Sequence, residues 1–149
     1  DDPDLEVSPD DILVMKNSGP IGGPGIPEWG FLPIPKKILA TGVRDMVRLS
    51  DARMSGTAFG TVVVHVTPES AGGGPLSAIR DGDMIEIDVP NRKLNILITD
   101  EELKERLNTH QNGAPEFKRG YKWLHAQHIL QADKGCDFDF LRAESLQSG

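Results

Sequence analysis

The chain has 149 residues, of which 38% are hydrophobic and 26% charged, the composition of one ordinary globular domain. No apolar run approaches the roughly 20 residues that a membrane-spanning helix needs, which argues against a transmembrane protein. Sixteen Lys and Arg against 23 Asp and Glu give a net charge of −7, which disfavours binding to nucleic acid. The single cysteine, Cys136, excludes a disulfide within the chain and any all-cysteine metal site of its own. The first residues, DDPD, predict a cut or processed end and not a signal peptide.

The first half of the chain alternates short apolar runs with loops rich in glycine and proline. Residues 12–15 predict a buried strand, and residues 35–41 predict a short helix that begins at a proline and ends before a glycine. Further strands are expected at 45–49 and, from a β-branched run, at 61–66. In the loop 17–30, glycine and proline fill eight of the fourteen positions, so we expect a shaped but irregular segment.

The second half predicts a hairpin and two helices. Residues 84–98 alternate apolar and polar side chains on either side of a turn, which is typical of two antiparallel strands. Thr99 followed by Glu102 fits a capping box that opens a helix, and a last helix is expected over 121–132. Short strands with frequent turns favour a β-rich α/β fold, a barrel or sandwich that carries helices.

The loop 50–57, with sequence SDARMSGT, lies between two predicted strands and could carry chemistry. Ser55 precedes Gly56, so its hydroxyl could sit on a tight, exposed bend. A serine hydroxyl is a weak nucleophile or base unless its surroundings lower its pKa. The alternative is a turn whose hydroxyl groups cap backbone amides.

The loop 24–28 ends in Glu28, a carboxylate on a stiff support. Such a group could hold a hard cation such as Mg²⁺, or it could be a solvated loop acid. The glycines could also cradle a phosphate, but neither nucleotide-binding glycine motif is present. Trp29, the next residue, either lines a pocket or simply packs.

Two histidines and the cysteine are further candidates. His125 and His128 are three residues apart on a predicted helix and therefore share a face. They lack the glutamate of a zinc-protease motif, so we expect a solvated or partner-facing pair in preference to a metal site. We expect Cys136 to be a small buried residue.

Two of these loops together resemble the C-terminal region of the dihydroxy-acid and sugar-acid dehydratases. The motifs are GPIGGPGIPE at 19–28 and SDARMSGT at 50–57, in the same order and at a similar separation as in that family. The continuation is also similar, with HVTPE at 65–69, GGPL at 73–76 and RDGDMIEID at 80–88. The resemblance covers nearly the whole chain, and two motifs at matching separation make it highly specific.

The resemblance implies a fold, a set of cofactors and roles for individual residues. It implies one C-terminal domain over 1–149, a swivelling β/β/α domain in which helices flank a β-barrel. A larger N-terminal domain would supply the cysteines of an iron–sulfur cluster and most ligands of Mg²⁺. It further implies that Glu28 is one Mg²⁺ ligand, that Ser55 is the catalytic base and that Thr57 lies near the substrate.

The function implied is that of a hydro-lyase that converts a 2,3-dihydroxy acid into a 2-keto-3-deoxy acid. Trp29 as a substrate-binding residue, and the ending QADKGCDFDFL at 131–141, favour an aldonic acid as substrate. The alternatives are a branched-chain dihydroxy-acid dehydratase and a non-catalytic structural or interaction module. We expect this chain alone to be inactive, its partners to be the N-terminal domain and a small sugar acid, and the full-length protein to be a homo-oligomer. The expected location is cytoplasmic, or organellar in a eukaryote.

Overall fold

The structure is a computed structural model that describes residues 2, 4–109 and 116–141. Its first sheet has three parallel strands in the order β1-β2-β3, with Val14 opposite Leu49 and Leu49 opposite Val63. Its second sheet is an antiparallel pair, β4 and β5. In chain order the elements are β1 (Leu13–Met15), α1 (Lys36–Ala40), β2 (Arg48–Ser50), β3 (Val62–Val63), β4 (Ile85–Asp88), β5 (Lys93–Ile96), α2 (Asp100–Thr109) and α3 (Gly120–His128).

The hairpin and the helix after it confirm the local sequence patterns. Ile85 lies opposite Ile96 in the β4–β5 ladder. At the start of α2 the Thr99 hydroxyl accepts a hydrogen bond from the backbone amide of Glu102 at 3.2 Å, one half of the predicted capping box. The carboxylate of Glu102 instead accepts hydrogen bonds from Arg106 one turn later, which strengthens the helix by an i,i+4 pair.

The last helix is shorter than the predicted 121–132. α3 ends at His128, and Ile129 has extended backbone angles (φ −68°, ψ 129°). The amide of Leu130 donates to the carbonyl of Asp137 at 2.8 Å, so the chain doubles back in a small loop. Pairing with the following segment therefore replaces the last helical turn.

The predicted barrel is not what the structure shows: the described residues form a small α/β fold with two separate sheets and no closed barrel. The β-branched run 61–66 gives only the two-residue strand β3. His65 takes a left-handed φ of 56°, and its amide and that of Val66 donate to the carbonyls of Ala52 and Ser50. The run therefore turns across the end of β2 and does not extend a sheet. No helix within the described ranges is long and apolar enough to cross a lipid bilayer.

The main buried cluster lies under α1. Ile34, Ile38 and Met46 form it, and Leu13 of β1 packs against it. Burial of such side chains stabilises the fold by about 1.5–3 kcal/mol each. This core holds β1 and β2 in place, and the loops that follow these two strands form the site described next.

Candidate functional site

Two loops that are distant in sequence lie side by side and carry the predicted site residues. Glu28 forms a parallel β-bridge with Arg53. The amide of Trp29 donates to the Arg53 carbonyl at 3.2 Å, and the amide of Ser55 donates to the Gly30 carbonyl at 2.7 Å. This short backbone ladder places Glu28 and Ser55 on adjoining stretches of chain.

A shallow cleft opens beside this ladder, and Glu28 and Arg53 lie in it. The Glu28 carboxylate and the Arg53 guanidinium are 3.6 Å apart, with 43% and 47% of their side chains exposed. A pair this exposed contributes only about 0–1 kcal/mol, so either group can exchange its partner for a ligand. The lining residues are Gly25, Ile26, Glu28, Arg53, Met54, Gly56, His65 and Cys136.

Ser55 and Thr57 form a local hydroxyl pair. Their side-chain oxygens are 2.9 Å apart, and the Thr57 amide donates to the Ser55 hydroxyl at 3.3 Å. The turn predicted as the alternative reading of this loop is therefore present, and it fixes the hydroxyl. Ser55 lies between Met54 and Gly56, which line the cleft, whereas Ser55, Thr57 and Trp29 are not among the lining residues.

Asp51 ties these loops to the sheet, and its role was not predicted. It is 1% exposed and directly follows β2. Its carboxylate accepts hydrogen bonds from the amides of Asn17 (3.1 Å), Ser18 (3.0 Å) and Ser70 (2.9 Å). Three loops therefore meet at one buried carboxylate. The signal available in the sequence was an acidic residue directly after a buried strand. A carboxylate buried at such a place indicates donors nearby, because buried polar groups nearly always make hydrogen bonds.

The glycine-rich loop does not offer its amides to a phosphate. The amides of Ile21 and Gly22 donate to the two carboxylate oxygens of Glu69, at 2.7 Å and 2.9 Å. Glu69 is fully buried. The protein's own carboxylate therefore occupies the position that an anionic ligand would take.

His125 is buried, so the expectation of a solvated or partner-facing histidine pair was wrong for this residue. Its side chain is 3% exposed, and its Nε2 accepts a hydrogen bond from the Gly25 amide at 3.2 Å. Burial lowers the pKa of His125, while the charge of Glu69 opposes the shift. The neutral imidazole is the form that can accept, so His125 supports the cleft loop as a neutral group. His128 instead contacts Asp139 at 2.9 Å.

Cys136 lies at the edge of the cleft and is half-buried, less hidden than predicted. Burial, and next the charge of Glu69, raise the pKa of its thiol. The protonated thiol is a poor nucleophile and a poor metal ligand. Cys136 therefore packs as a small apolar residue at the cleft wall.

Backbone strain is concentrated at this cleft. Of the five non-glycine residues with positive φ in the described part of the chain, three line it: Ile26 (50°), His65 (56°) and Cys136 (52°). Such conformations cost of order 1–3 kcal/mol each and cluster at functional sites. A β-branched residue with positive φ, as at position 26, is especially unusual.

The residues present fit one cofactor only in part. Mg²⁺ takes about six oxygen ligands, and Glu28 can give one or two from an exposed carboxylate. No group of three or more His, Cys, Asp or Glu side chains that could hold a metal is found within the described ranges. The single cysteine of the chain does not fit an iron–sulfur cluster, which needs several thiolates.

Comparison with known proteins identifies the class to which this fold and cleft belong. A sequence profile described as dihydroxy-acid/6-phosphogluconate dehydratase C-terminal matches residues 2–136. The chain therefore belongs to this dehydratase family and represents its C-terminal region, as the two loop motifs predicted.

Individual relatives carry sugar-acid and dihydroxy-acid names. The chain is 52% identical over 143 residues to a 6-deoxy-6-sulfo-D-gluconate dehydratase of Pseudomonas putida, covering 96% of this chain and 25% of the relative. It is 53% identical over 141 residues to an L-arabinonate dehydratase of Rhizobium leguminosarum (95% and 24% covered). A dihydroxy-acid dehydratase of Thermodesulfovibrio yellowstonii is 38% identical over 134 residues (89% and 24% covered). The chain thus spans about a quarter of the length of these relatives.

Proposed function

We propose that this chain is the C-terminal part of a hydro-lyase that dehydrates an aldonic acid to a 2-keto-3-deoxy acid. The proposal rests on the backbone ladder that joins the stretch carrying Glu28, which lines the strained cleft, to the stretch carrying Ser55, whose two neighbours in sequence line it. The identity of more than half to two sugar-acid dehydratases supports the substrate class.

Ser55 is the proposed base for the proton on C2 of the substrate. Bound Mg²⁺ and an iron–sulfur cluster would supply the positive charge that acidifies this proton and helps hydroxide to leave C3. The Thr57 hydroxyl lies 2.9 Å from the Ser55 oxygen and can donate to it, which favours the deprotonated serine. Loss of the proton and hydroxide leaves an enol, which tautomerises to the 2-keto acid.

The proposed division of labour requires a second part of the protein. Glu28 can give only a fraction of a Mg²⁺ coordination sphere, and the chain has one cysteine. The remaining ligands would come from the N-terminal region that the longer relatives contain. We propose that the enzyme works as a full-length homo-oligomer and that this chain alone does not turn over substrate.

Substitution of Ser55 and Glu28 in the full-length enzyme tests the residue roles. We expect Ser55→Ala to lower kcat by at least about a thousandfold with Tm unchanged, because only the base is lost. Glu28→Gln should raise the Mg²⁺ concentration needed for half-maximal rate. Ser8→Ala, in the exposed turn before β1, is the matched control and should match the wild type. Near-normal turnover by Ser55→Ala would place the base elsewhere and leave this domain a structural module.

Trp29 provides the test of substrate class. Its side chain is 49% exposed directly after Glu28, and an indole offers one N–H donor beside an apolar face, which suits a polyol chain. Trp29→Leu should lower kcat/KM for an aldonate about tenfold, and for dihydroxyisovalerate by much less. Equal losses for both acids with a lower Tm would mean that Trp29 only packs. A wild-type preference for dihydroxyisovalerate would favour the branched-chain alternative that the 38%-identical relative suggests.

A further inference from the structure

The fully buried carboxylate of Glu69 makes an unusual set of contacts with the glycine-rich loop. One oxygen accepts from the Ile21 amide at 2.7 Å and the other from the Gly22 amide at 2.9 Å. A Cβ added at Gly19 would lie 2.7 Å from one of these oxygens, so only glycine fits there. The loop therefore wraps closely around one charged group.

Gln131 holds Glu69 in position through two further bonds. Its Nε2 donates to a Glu69 carboxylate oxygen at 2.7 Å, and its Oε1 accepts from the Glu69 backbone amide at 2.8 Å. A side-chain amide donates through its nitrogen and accepts through its oxygen, so Gln131 can make both bonds at once. The pair joins segments 62 residues apart in sequence, so no local pattern could predict it.

A series of hydrogen-bonded turns connects the residues that contact Glu69 to Glu28. The Gly23 amide donates to the Gly19 carbonyl at 2.7 Å, and the Ile26 amide donates to the Gly23 carbonyl at 2.8 Å. Proline fixes φ at positions 24 and 27. The path from the buried carboxylate to Glu28 is thus a chain of turns with few free torsions.

We propose that Glu69 and Gln131 form a positioning pair that sets the place of Glu28 and so tunes the affinity of the Glu28 site for a divalent cation. A buried carboxylate that loses a donor incurs the cost of an unmet hydrogen bond, so the pair resists any shift of the loop. The proposal rests on the proposed function, because Glu28 must bind the cation for its placement to affect affinity.

The test is a double-mutant cycle in the full-length enzyme, with Mn²⁺ as the probe and unbound Mn²⁺ measured by electron paramagnetic resonance. Gln131→Met keeps the side-chain length and removes both hydrogen bonds, and Glu28→Gln removes the charge. Each single substitution should weaken Mn²⁺ binding about tenfold. The double variant should bind no more weakly than Glu28→Gln, because Gln131 acts through Glu28.

A second measurement, of the rate against Mg²⁺ concentration, separates a positioning role of Gln131 from general destabilisation of the fold. In Gln131→Met the Mg²⁺ concentration for half-maximal rate should rise about tenfold, while kcat at saturating Mg²⁺ stays within about twofold. Gln127→Met, on the exposed surface of α3, is the matched control and should bind Mn²⁺ like the wild type. If Gln131→Met does not fold, Gln131→Asn replaces it in the same cycle with the same expectation, since the shorter amide cannot span both bonds.

The Mn²⁺ affinities distinguish failure of the positioning role from failure of Glu28 as a ligand. Unchanged Mn²⁺ affinity in the Gln131 variant, or losses that add fully in the double variant, would overturn the positioning role and leave Glu28 as a ligand. Unchanged affinity in Glu28→Gln alone would instead overturn the proposed function of Glu28.

Discussion

The cleft loops and the hairpin–helix region are built on opposite principles. At the cleft, Ile26, His65 and Cys136 hold left-handed backbones, and buried carboxylates reach across dozens of residues to satisfy loop amides. In the region 80–109 the strands pair with their neighbours, and Asp83 and Glu102 bind Arg106 within a short stretch of chain. The cleft loops keep strained conformations that place particular groups at a cost in stability, whereas the region 80–109 is stabilised by contacts between residues close in sequence.

This contrast teaches where function is sensitive to mutation. A change in the hairpin–helix region should lower stability without altering the chemistry of the folded molecule. A change to the buried bonds that support the cleft loops should alter both, because those bonds hold the loops and also place Glu28 and Ser55.

The largest effect is expected from crowding the loop that follows the buried Glu69, at Gly74. A Cβ there would lie 1.9 Å from the Pro68 carbonyl oxygen, so backbone would have to move. Gly74→Ala should lower the free energy of unfolding by about 3 kcal/mol or more, measured by urea denaturation followed by circular dichroism. Gly72→Ala, whose nearest neighbour would be at an ordinary 3.6 Å, should stay within about 0.5 kcal/mol of the wild type. An effect of Gly74→Ala as small as that of Gly72→Ala would show that the backbone near Pro68 can move at little cost.

Removal of Arg106 should destabilise the hairpin–helix region while sparing the cleft. Its guanidinium donates to both oxygens of Asp83, at 2.5 Å and 3.0 Å, and these bonds lower the pKa of Asp83. Arg106→Met should lower Tm by several degrees at pH 7, with kcat of the full-length enzyme unchanged.

The sign of the pH dependence follows from Asp83. A carboxyl whose pKa is lowered by folding adds stability above its unfolded pKa near 3.9 and loses it as pH falls through the folded value. The Tm difference between Arg106→Met and wild type should therefore shrink below about pH 4. A difference that persists in strong acid would mean that lost packing of the arginine stem, not charge, is responsible.

The smallest effect is expected at His125. Burial lowers its pKa, so the folded state binds fewer protons than the unfolded state as pH falls below about 6.5. Stability should decline from pH 7 to pH 5, because protonation removes the acceptor of the Gly25 amide. His125→Gln keeps an acceptor that does not titrate and should flatten this decline, as read by Tm in matched buffers. His128→Gln is the control, and an equal flattening by it would refute the assignment.

The elements that depend on neighbours in sequence could be predicted, whereas those that depend on distant partners could not. The hairpin and the Thr99 cap follow from alternation and capping chemistry, and both are present. The parallel pairing of β1, β2 and β3 could not be predicted, because strands of two or three residues carry no signal of their partners. The β-branched residues of the run 61–66 predict a strand along its whole length, but the left-handed turn at His65 leaves only Val62–Val63 paired.

For the site, the motif loops were predictable and their support was not. Glu28 and Ser55 stood out as a carboxylate and a hydroxyl on glycine-containing loops, and the structure brings their backbones together. Glu69 gave no signal beyond its acidity, and Asp51 gave only its place directly after a buried strand, because their partners are backbone amides that any sequence provides. The catalytic roles themselves remain predictions for the experiments above.

The ladder between residues 28–30 and 53–55 consists of main-chain hydrogen bonds, so the two loops stay paired when side chains along them change. Its bonds join the backbones of Trp29 and Arg53 and of Ser55 and Gly30, so they do not depend on the indole at position 29 or the side chain at position 54. Substitutions at position 54 can reshape the wall of the cleft, and those at position 29 change the exposed surface beside Glu28, while the carboxylate and the serine stay in register. In the proposed hydro-lyase, positions 29 and 54 are therefore where we expect a library of substitutions to alter the preference between acids.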